Sequence, residues 1–172
     1  LLAEQKANID SLQVDKNKLE SEKTDLTNER DDLKAKVDVA SILRAENIAV
    51  TYLNSKGKEY DSQPFKLKKI DKLKIAFNLG KNAVAEAGTR AISIRIVEPG
   101  GAALYDLATG GGSFSSDGKE IFYSAKQDIM FANKNEMVNF MYAKGSLFKA
   151  GEHTVEIYEA ENLIGKGKFT TK

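Results

Sequence analysis

The sequence contains no cysteine, and a single histidine stands among its 172 residues. The absence of cysteine excludes disulfide bonds, thiol catalysis and thiolate metal sites. No run approaches the roughly 20 apolar residues that a membrane-spanning helix needs. No signal-peptide pattern is present either. The chain is therefore expected to be neither a disulfide scaffold nor a thiol enzyme.

Positive and negative side chains nearly balance, with 26 Lys and Arg against 25 Asp and Glu. The first 42 residues carry 7 basic and 10 acidic side chains, and residues 43–172 carry 19 and 15. Neither part has the excess of positive charge that a nucleic-acid-binding surface requires. We therefore expect no nucleic-acid partner.

A seven-residue repeat of leucine runs through the first quarter of the chain, which lacks proline and glycine. This spacing is typical of a coiled-coil seam and predicts a coiled-coil helix over residues 1–41. If the repeating leucines occupy heptad position d, position a is half apolar and half cationic. The predicted oligomerisation seam consists of Leu2, Ile9, Leu12, Leu19, Leu26, Leu33 and Val37.

Each cation at position a directly follows an acid at position g: Lys16 follows Asp15, Lys23 follows Glu22 and Arg30 follows Glu29. In a parallel pair, the long cationic side chain can bury its methylenes in the seam and reach the g carboxylate of the other chain. The pattern therefore favours self-association as a parallel dimer, held weakly because exposed ion pairs contribute about 0–1 kcal/mol each. A single solvated helix folded back on its own domain is the alternative.

Near Ser41 the heptad ends and alternation with period two begins, which predicts one β domain over residues 42–172. The pattern places Leu73, Ile75 and Phe77 inward on one strand, and it places Ser93 and Arg95 outward on another. Helices long enough for parallel crossovers are not predicted, so we expect an antiparallel two-sheet sandwich. The predicted strands are Asn47–Asn54, Lys72–Leu79, Arg90–Val97, Leu104–Leu107, Glu120–Ala125, Ile129–Ala132, Met137–Ala143, Glu152–Tyr158 and Asn162–Thr170.

The segment Phe148–Tyr158 resembles the penultimate strand of an immunoglobulin-like domain, and Glu159–Phe169 resembles its last hairpin. At the position where that family often has a corner tyrosine, this chain has His153. With the segments Lys69–Phe77 and Ile94–Gly101, the layout is similar to uncharacterised bacterial cell-envelope proteins with an N-terminal coiled coil and a C-terminal immunoglobulin-like β-sandwich. This resemblance implies a periplasmic or surface location, anchored by a segment upstream of Leu1.

Several residues suggest particular sites, each with a simpler structural interpretation. Histidine side chains often serve as acids or bases near neutral pH, but the sequence offers His153 no recognisable nucleophile and acid, so it is better interpreted as a corner residue. The glycines of Gly110–Ser113 lack the strand, helix and Gly-Lys-Ser/Thr ending of a phosphate loop and predict a flexible tip, followed by a turn at Asp117–Gly118.

Charged and aromatic clusters admit two interpretations as well. A dense basic stretch is consistent with anion binding or with a solvated strand face, and consists of Lys66, Lys68, Lys69, Lys72 and Lys74. Glu156, Glu159 and Glu161 lack calcium-loop spacing and are interpreted as surface charges. An irregular segment concentrates aromatic rings that form either core or a sugar- or peptide-binding platform: Tyr105, Phe114, Phe122, Tyr123 and Phe131.

These patterns together predict a non-enzymatic structural or binding module of a bacterial cell envelope, with no cofactor. The coil would bring copies together, and paired weak sites would bind an unknown protein or glycan through avidity. Two alternatives remain. A carbohydrate-binding module would show an exposed aromatic row on a sheet face, and a small hydrolase would show convergent acids in a pocket.

Overall fold

A computed structural model describes residues 2–116, 118–143 and 147–172. The first residue of the predicted coil and Asp117 of the predicted turn lie outside the described residues. The chain divides at Ala40–Ser41 into two compact units. Each unit is described by itself below.

The first unit is one helix, α1 (Leu2–Ala40), of 39 residues. At about 1.5 Å per residue, such a helix is about 58 Å long. Pairs four residues apart lie along its surface, among them Lys36 Nζ with Asp32 Oδ2 at 2.7 Å and Gln13 Nε2 with Asn17 Oδ1 at 3.0 Å. No residue of α1 is buried. The predicted N-terminal helix is confirmed.

The described part of the second unit contains eleven strands and two short 3₁₀ helices, Leu67–Lys69 and Leu107–Thr109. The strands are β1 (Ala45–Leu53), β2 (Glu59–Tyr60), β3 (Lys72–Leu79), β4 (Gly88–Val97), β5 (Ala103–Leu104), β6 (Gly112–Ser116), β7 (Lys119–Tyr123), β8 (Ala125–Phe131), β9 (Met137–Tyr142), β10 (Gly151–Glu159) and β11 (Asn162–Thr171). The prediction of an all-β domain is confirmed.

Two antiparallel sheets enclose the core. One has the strand order β2-β1-β3-β9. The other has the order β11-β10-β4, and the far edge of β4 pairs with β8 over Gly88–Ile94 and with β5 over Ile96–Val97. Strands β6 and β7 form a separate hairpin. Strands β4 and β10 are therefore the central pair of the second sheet.

The core forms from the alternating apolar residues of both sheets. Leu73, Ile75 and Phe77 of β3 are buried as predicted, and so are the isoleucines of β4. Burying one such side chain stabilises the fold by about 1.5–3 kcal/mol relative to leaving it exposed. Aromatic rings connect the two sheets, because Tyr52 of β1 lies 5.0 Å from Phe65, whose ring lies 5.9 Å from that of Phe169 on β11.

His153 lies inside this aromatic region, fully buried on the inner face of β10. Its ring stacks on Phe169 at 4.7 Å and meets the edge of Phe148 at 5.8 Å. Its Nδ1 lies 3.2 Å from the carbonyl oxygen of Gly151. The imidazole thus packs as a core ring with a local hydrogen bond to the backbone of its own strand.

The middle of the chain departs from the predicted strands. Gly112 and Ser113, predicted in a flexible tip, begin β6, because Gly112 leaves room for the Tyr123 ring across the hairpin. The predicted break after Ala125 falls instead at Ser124, whose buried hydroxyl donates to the Leu104 carbonyl and accepts from the Ile96 N–H at 2.9 Å. The hydrogen bonds of Ser124 join residues that are 20 and 28 positions apart, and alternation along a single strand carries no information about such distant partners.

Close approach of the two sheets depends on glycine in β11. A Cβ on Gly165 would lie 2.8 Å from the Ala45 Cβ and 2.9 Å from the Ile48 Cδ1 of β1. We expect Gly165→Ala to lower the free energy of unfolding by about 1–3 kcal/mol through overpacking, measured by urea denaturation. Gly88→Ala in β4 is the matched control, since a Cβ there meets nothing within 4 Å. Equal effects of the two substitutions would contradict this account of the packing.

Candidate functional site

The helix carries the predicted seam on one exposed face. Leu12, Leu19, Leu26 and Leu33 are between 53% and 67% exposed, and Leu2, Ile9 and Val37 are exposed as well. Leu19, Glu22, Lys23 and Leu26 help to line a shallow concavity on this face. In the predicted heptad these four residues occupy positions d, g, a and d. In a coiled coil, four residues at these positions form the hole that receives a knob side chain from the partner helix.

Two of the three cations of the seam, Lys16 and Arg30, have acidic partners within the single chain. Lys16 Nζ lies 3.9 Å from Glu20 Oε1, and Arg30 Nη2 lies 2.7 Å from Asp31 Oδ1. All four side chains are well exposed, so these contacts contribute little and exchange readily for others. The cations remain available to the g carboxylates of a second helix.

A second site lies in the β domain, on the outer face of the central strands. Ser93, Glu156 and Tyr158 point away from the core, yet they are only 3%, 8% and 7% exposed. The β6–β7 hairpin covers this face: the Phe114 ring meets Tyr158 at 5.2 Å, and Ser116 Oγ donates to the Glu161 carbonyl at 3.0 Å. Ser93 therefore faces outward as predicted, but it is covered and not solvated.

Three polar side chains surround the Glu156 carboxylate. Arg95 Nη1 and the Tyr158 hydroxyl donate to its Oε2 at 2.7 and 3.1 Å, and Lys166 Nζ lies 2.9 Å from its Oε1. Burial by itself raises the pKa of this carboxyl, but the hydrogen bonds from Lys166, Arg95 and Tyr158 outweigh burial and hold the pKa below its ordinary value. Burial and the neighbouring carboxylate raise the pKa of Tyr158.

Glu159 is buried as well, which corrects its interpretation as a surface charge. Its Oε2 accepts a hydrogen bond from the Leu43 N–H at 3.0 Å, and its Oε1 lies 3.3 Å from Arg90 Nη1. The carboxylate thus ties the start of the domain to β4 and β10. Of the three predicted surface acids, Glu161 alone is exposed.

The predicted aromatic cluster separates into three environments. Phe131 is fully buried in the core, and Tyr105, 47% exposed, stacks on Phe122 at 4.5 Å. Phe114 and Tyr123 line an open cavity of about 260 Å³ between the outer face of the sheet and the hairpin, here called the hairpin cleft. The cleft is lined by Ala91, Ser93, Ser113, Phe114, Ser115, Tyr123, Lys126, Ala160 and Glu161.

The predicted basic stretch surrounds a 3₁₀ helix at one end of the domain. Lys66, Lys68 and Lys69 are exposed there, and the Leu67 N–H donates to the Lys172 carbonyl at 3.0 Å. Lys74, in contrast, pairs with Glu59 at 3.0 Å on the outer face of its sheet. The stretch is thus divided between a loop and a strand.

Metal and membrane signatures were also sought in the described residues. Among them, no group of three or more His, Asp or Glu side chains lies close enough together to hold a metal ion. The described helices include none that is both long and apolar enough to cross a membrane.

Comparison with known proteins adds a family and distant structural likenesses. Residues 46–172 match the model of a family described as a domain of unknown function (DUF8428), and no curated protein matches the chain. An immunoglobulin-like protein from Pseudomonas aeruginosa is 12% identical over 77% of this chain and 98% of its own, with a TM-score of 0.39.

Two enzyme structures resemble this chain with a comparable sequence identity and TM-score. An alkylpurine DNA glycosylase from Pseudomonas fluorescens is 14% identical over 76% of this chain and 30% of its own, with a TM-score of 0.39. A β-glucosidase from Listeria innocua is 12% identical over 76% of this chain and 16% of its own, with a TM-score of 0.42. This chain therefore spans less than a third of either enzyme, and neither likeness bears on activity.

The buried carboxylate makes stability depend on pH. Because the folded-state pKa of Glu156 is lowered, its stabilisation is present above the unfolded-state pKa of about 4.3 and is lost as the pH falls through the folded-state pKa. We expect Glu156→Gln to lower the free energy of unfolding near neutral pH by about 1–3 kcal/mol and to weaken its dependence on acid pH. Urea denaturation from about pH 3 to pH 7 measures both effects.

Glu152→Gln on the same strand is the matched control. Glu152 also pairs with a lysine, Lys168 at 2.7 Å, but its side chain is 59% exposed. The expected change is therefore below about 1 kcal/mol. Equal losses in the two variants would contradict the role assigned to burial.

Proposed function

The chain belongs to the DUF8428 family of domains of unknown function, and we propose that it is a non-enzymatic assembly and binding module. In this proposal, α1 pairs with α1 of a second copy as a parallel coiled coil, and the assembly presents two immunoglobulin-like β domains. The observation that carries the proposal is the exposure of every apolar seam residue along α1.

The chemistry of the seam favours α1 of a second copy of the chain as the surface that covers it. Intrinsic propensity stabilises an isolated helix only weakly, so most of the stability of a helix comes from packing of its apolar face. No residue of α1 is buried in the single chain, so this packing has to come from another surface. The seam is self-complementary in a parallel pair, because the leucines at d meet leucines and the cations at a meet the acids at g of the other chain. An antiparallel pair would not bring a and g of the two chains together in this way.

The proposal extends to binding and location. Two copies of a weak site on one dimer would bind a multivalent protein or glycan more tightly than either site alone. We further propose a bacterial cell-envelope location, with an anchor upstream of residue 1. Its support is the similarity of layout to envelope proteins, and fractionation of cells that express the full-length protein tests it.

Charge placed in the seam tests the assembly. We expect Leu19→Lys combined with Leu26→Lys to convert a species of twice the 18.9 kDa chain mass into a monomer, because four added cations would meet in the seam. Ser21→Lys with Asn28→Lys adds the same charge at position f and should leave the dimer intact. Light scattering over a range of concentrations measures both masses. A dimer that survives the seam substitutions would overturn the proposal.

The orientation of the pair is tested separately, and the cysteine-free sequence makes this simple. We expect Lys16→Cys, at position a, to form a disulfide-linked dimer under mild oxidation, because equivalent a residues adjoin each other only in a parallel, in-register pair. Ser21→Cys, at the outward position f, should remain unlinked under the same conditions. Non-reducing electrophoresis shows the result. Cross-linking of both variants to the same extent would indicate random collision rather than a seam.

A further inference from the structure

Strand β9 forms one end of its sheet, and no strand among the described residues pairs with its outer edge. Just before β9, the Glu136 carbonyl accepts a hydrogen bond from the Leu79 N–H of β3 at 2.9 Å. In an antiparallel pair, the residues that bond to a given partner strand alternate along the chain. The backbone groups of Val138, Phe140 and Tyr142 therefore point to β3 in the observed register. Those of the residues between them point to the open edge.

The residues that point to the open edge are Met137, Asn139 and Met141. Their side chains lie on the outer face of the sheet, where Met137 is 69% exposed and Met141 is 47% exposed. Asn139 between them is exposed as well. The edge of β9 thus presents three backbone N–H groups and three backbone carbonyls beside an uncharged strip of side chains.

The other sheet edges have features that oppose pairing with a further strand. Strand β8 carries Lys126 and Asp128, and β11 carries Lys166 and Lys168. Strands β2 and β5 are only two residues long. Charges, proline, bulges and short length are the usual protection of an edge strand. Strand β9 has six residues, no charge, no proline and no register shift against β3, so its edge is an unprotected template for another strand.

The strand that fits this edge is β9 itself. We propose that the β9 strands of two copies pair antiparallel across a two-fold axis, which joins the two four-stranded sheets into one. In this register Asn139 faces Asn139 of the other copy, and Met137 faces Met141. Every backbone group that points to the open edge then has a partner, and no like charges meet. Main-chain hydrogen bonds of this kind are the usual basis of recognition at a sheet edge.

This inference rests on the proposed coiled coil. A parallel coil holds two β domains at a local concentration in the millimolar range, which compensates for the weakness of a short strand pair. Both the parallel coil and the β9 pair have a two-fold axis, so both contacts fit one closed dimer. The β9 pair therefore adds no further chains to the assembly, and loss of the coil leaves a monomer.

Disulfide cross-linking of the full chain tests the register. We expect Asn139→Cys to form a linked dimer, because facing residues of a bonded pair have Cα atoms about 5.5 Å apart, within the range of a disulfide. Met137→Cys is the matched control on the same face of the same strand. It should stay unlinked, because its counterpart lies four residues away, about 13 Å along the strand. An equal mixture of Met137→Cys and Met141→Cys copies should link.

The seam variant Leu19→Lys with Leu26→Lys tests the dependence on the coil. At micromolar chain concentration it should slow the linking of Asn139→Cys by roughly a hundredfold or more, since the millimolar local concentration is lost. Amide exchange provides a measurement without any substitution in β9. The Asn139 N–H should exchange more slowly in the wild-type dimer than in the seam variant, whereas the Phe140 N–H, bonded to β3, should be protected in both.

Three results would overturn the β9 pair. The first is equal linking of Asn139→Cys and Met137→Cys, which would indicate collision or another register. The second is equal exchange of the Asn139 amide in the wild type and the seam variant. The third is linking of Lys16→Cys without linking of Asn139→Cys, which would keep the coil and leave the β9 edge to a strand of another protein. Linking of Asn139→Cys without Lys16→Cys would instead support the strand pair and contradict the coil, so the two failures are distinguishable.

Discussion

The central strands β4 and β10 are covered on the inner face and over part of the outer face, and this packing removes several polar side chains from water. The β2-β1-β3-β9 sheet covers the inner face, where apolar side chains pack around the buried ring of His153. The β6–β7 hairpin covers the outer face, where the strands carry polar side chains. Polar groups removed from water must find partners, and the domain meets this requirement in different ways at neighbouring positions.

At Glu156 the requirement is met within the protein. Arg95, Tyr158 and Lys166 supply enough hydrogen bonds to keep the carboxylate charged despite its burial. At Ser93, two residues away from Arg95 on β4, the hairpin leaves an open cavity beside a side chain that is 3% exposed. The outer face thus holds both a buried ion cluster and an open cleft.

The helix presents the opposite situation. Nothing within α1 is buried, and its charged side chains pair with neighbours on the same helix. Its seam residues are therefore stabilised only if another surface covers them, which is the physical basis of the assembly proposal.

Local periodicity determined much of this protein. The heptad repeat and the absence of proline and glycine predicted the helix, and period-two alternation predicted the buried faces of β3 and β4, because these patterns depend on neighbours a few residues away. The tertiary structure decided what covers the outer face. Ser93, Glu156 and Glu159 have sequence contexts typical of exposed residues. Other parts of the chain lie against them: the β6–β7 hairpin beside Ser93, Arg95 and Lys166 at Glu156, and Leu43 at Glu159. The aromatic cluster was visible in the sequence, but its division between core and cleft depends on the same long-range packing.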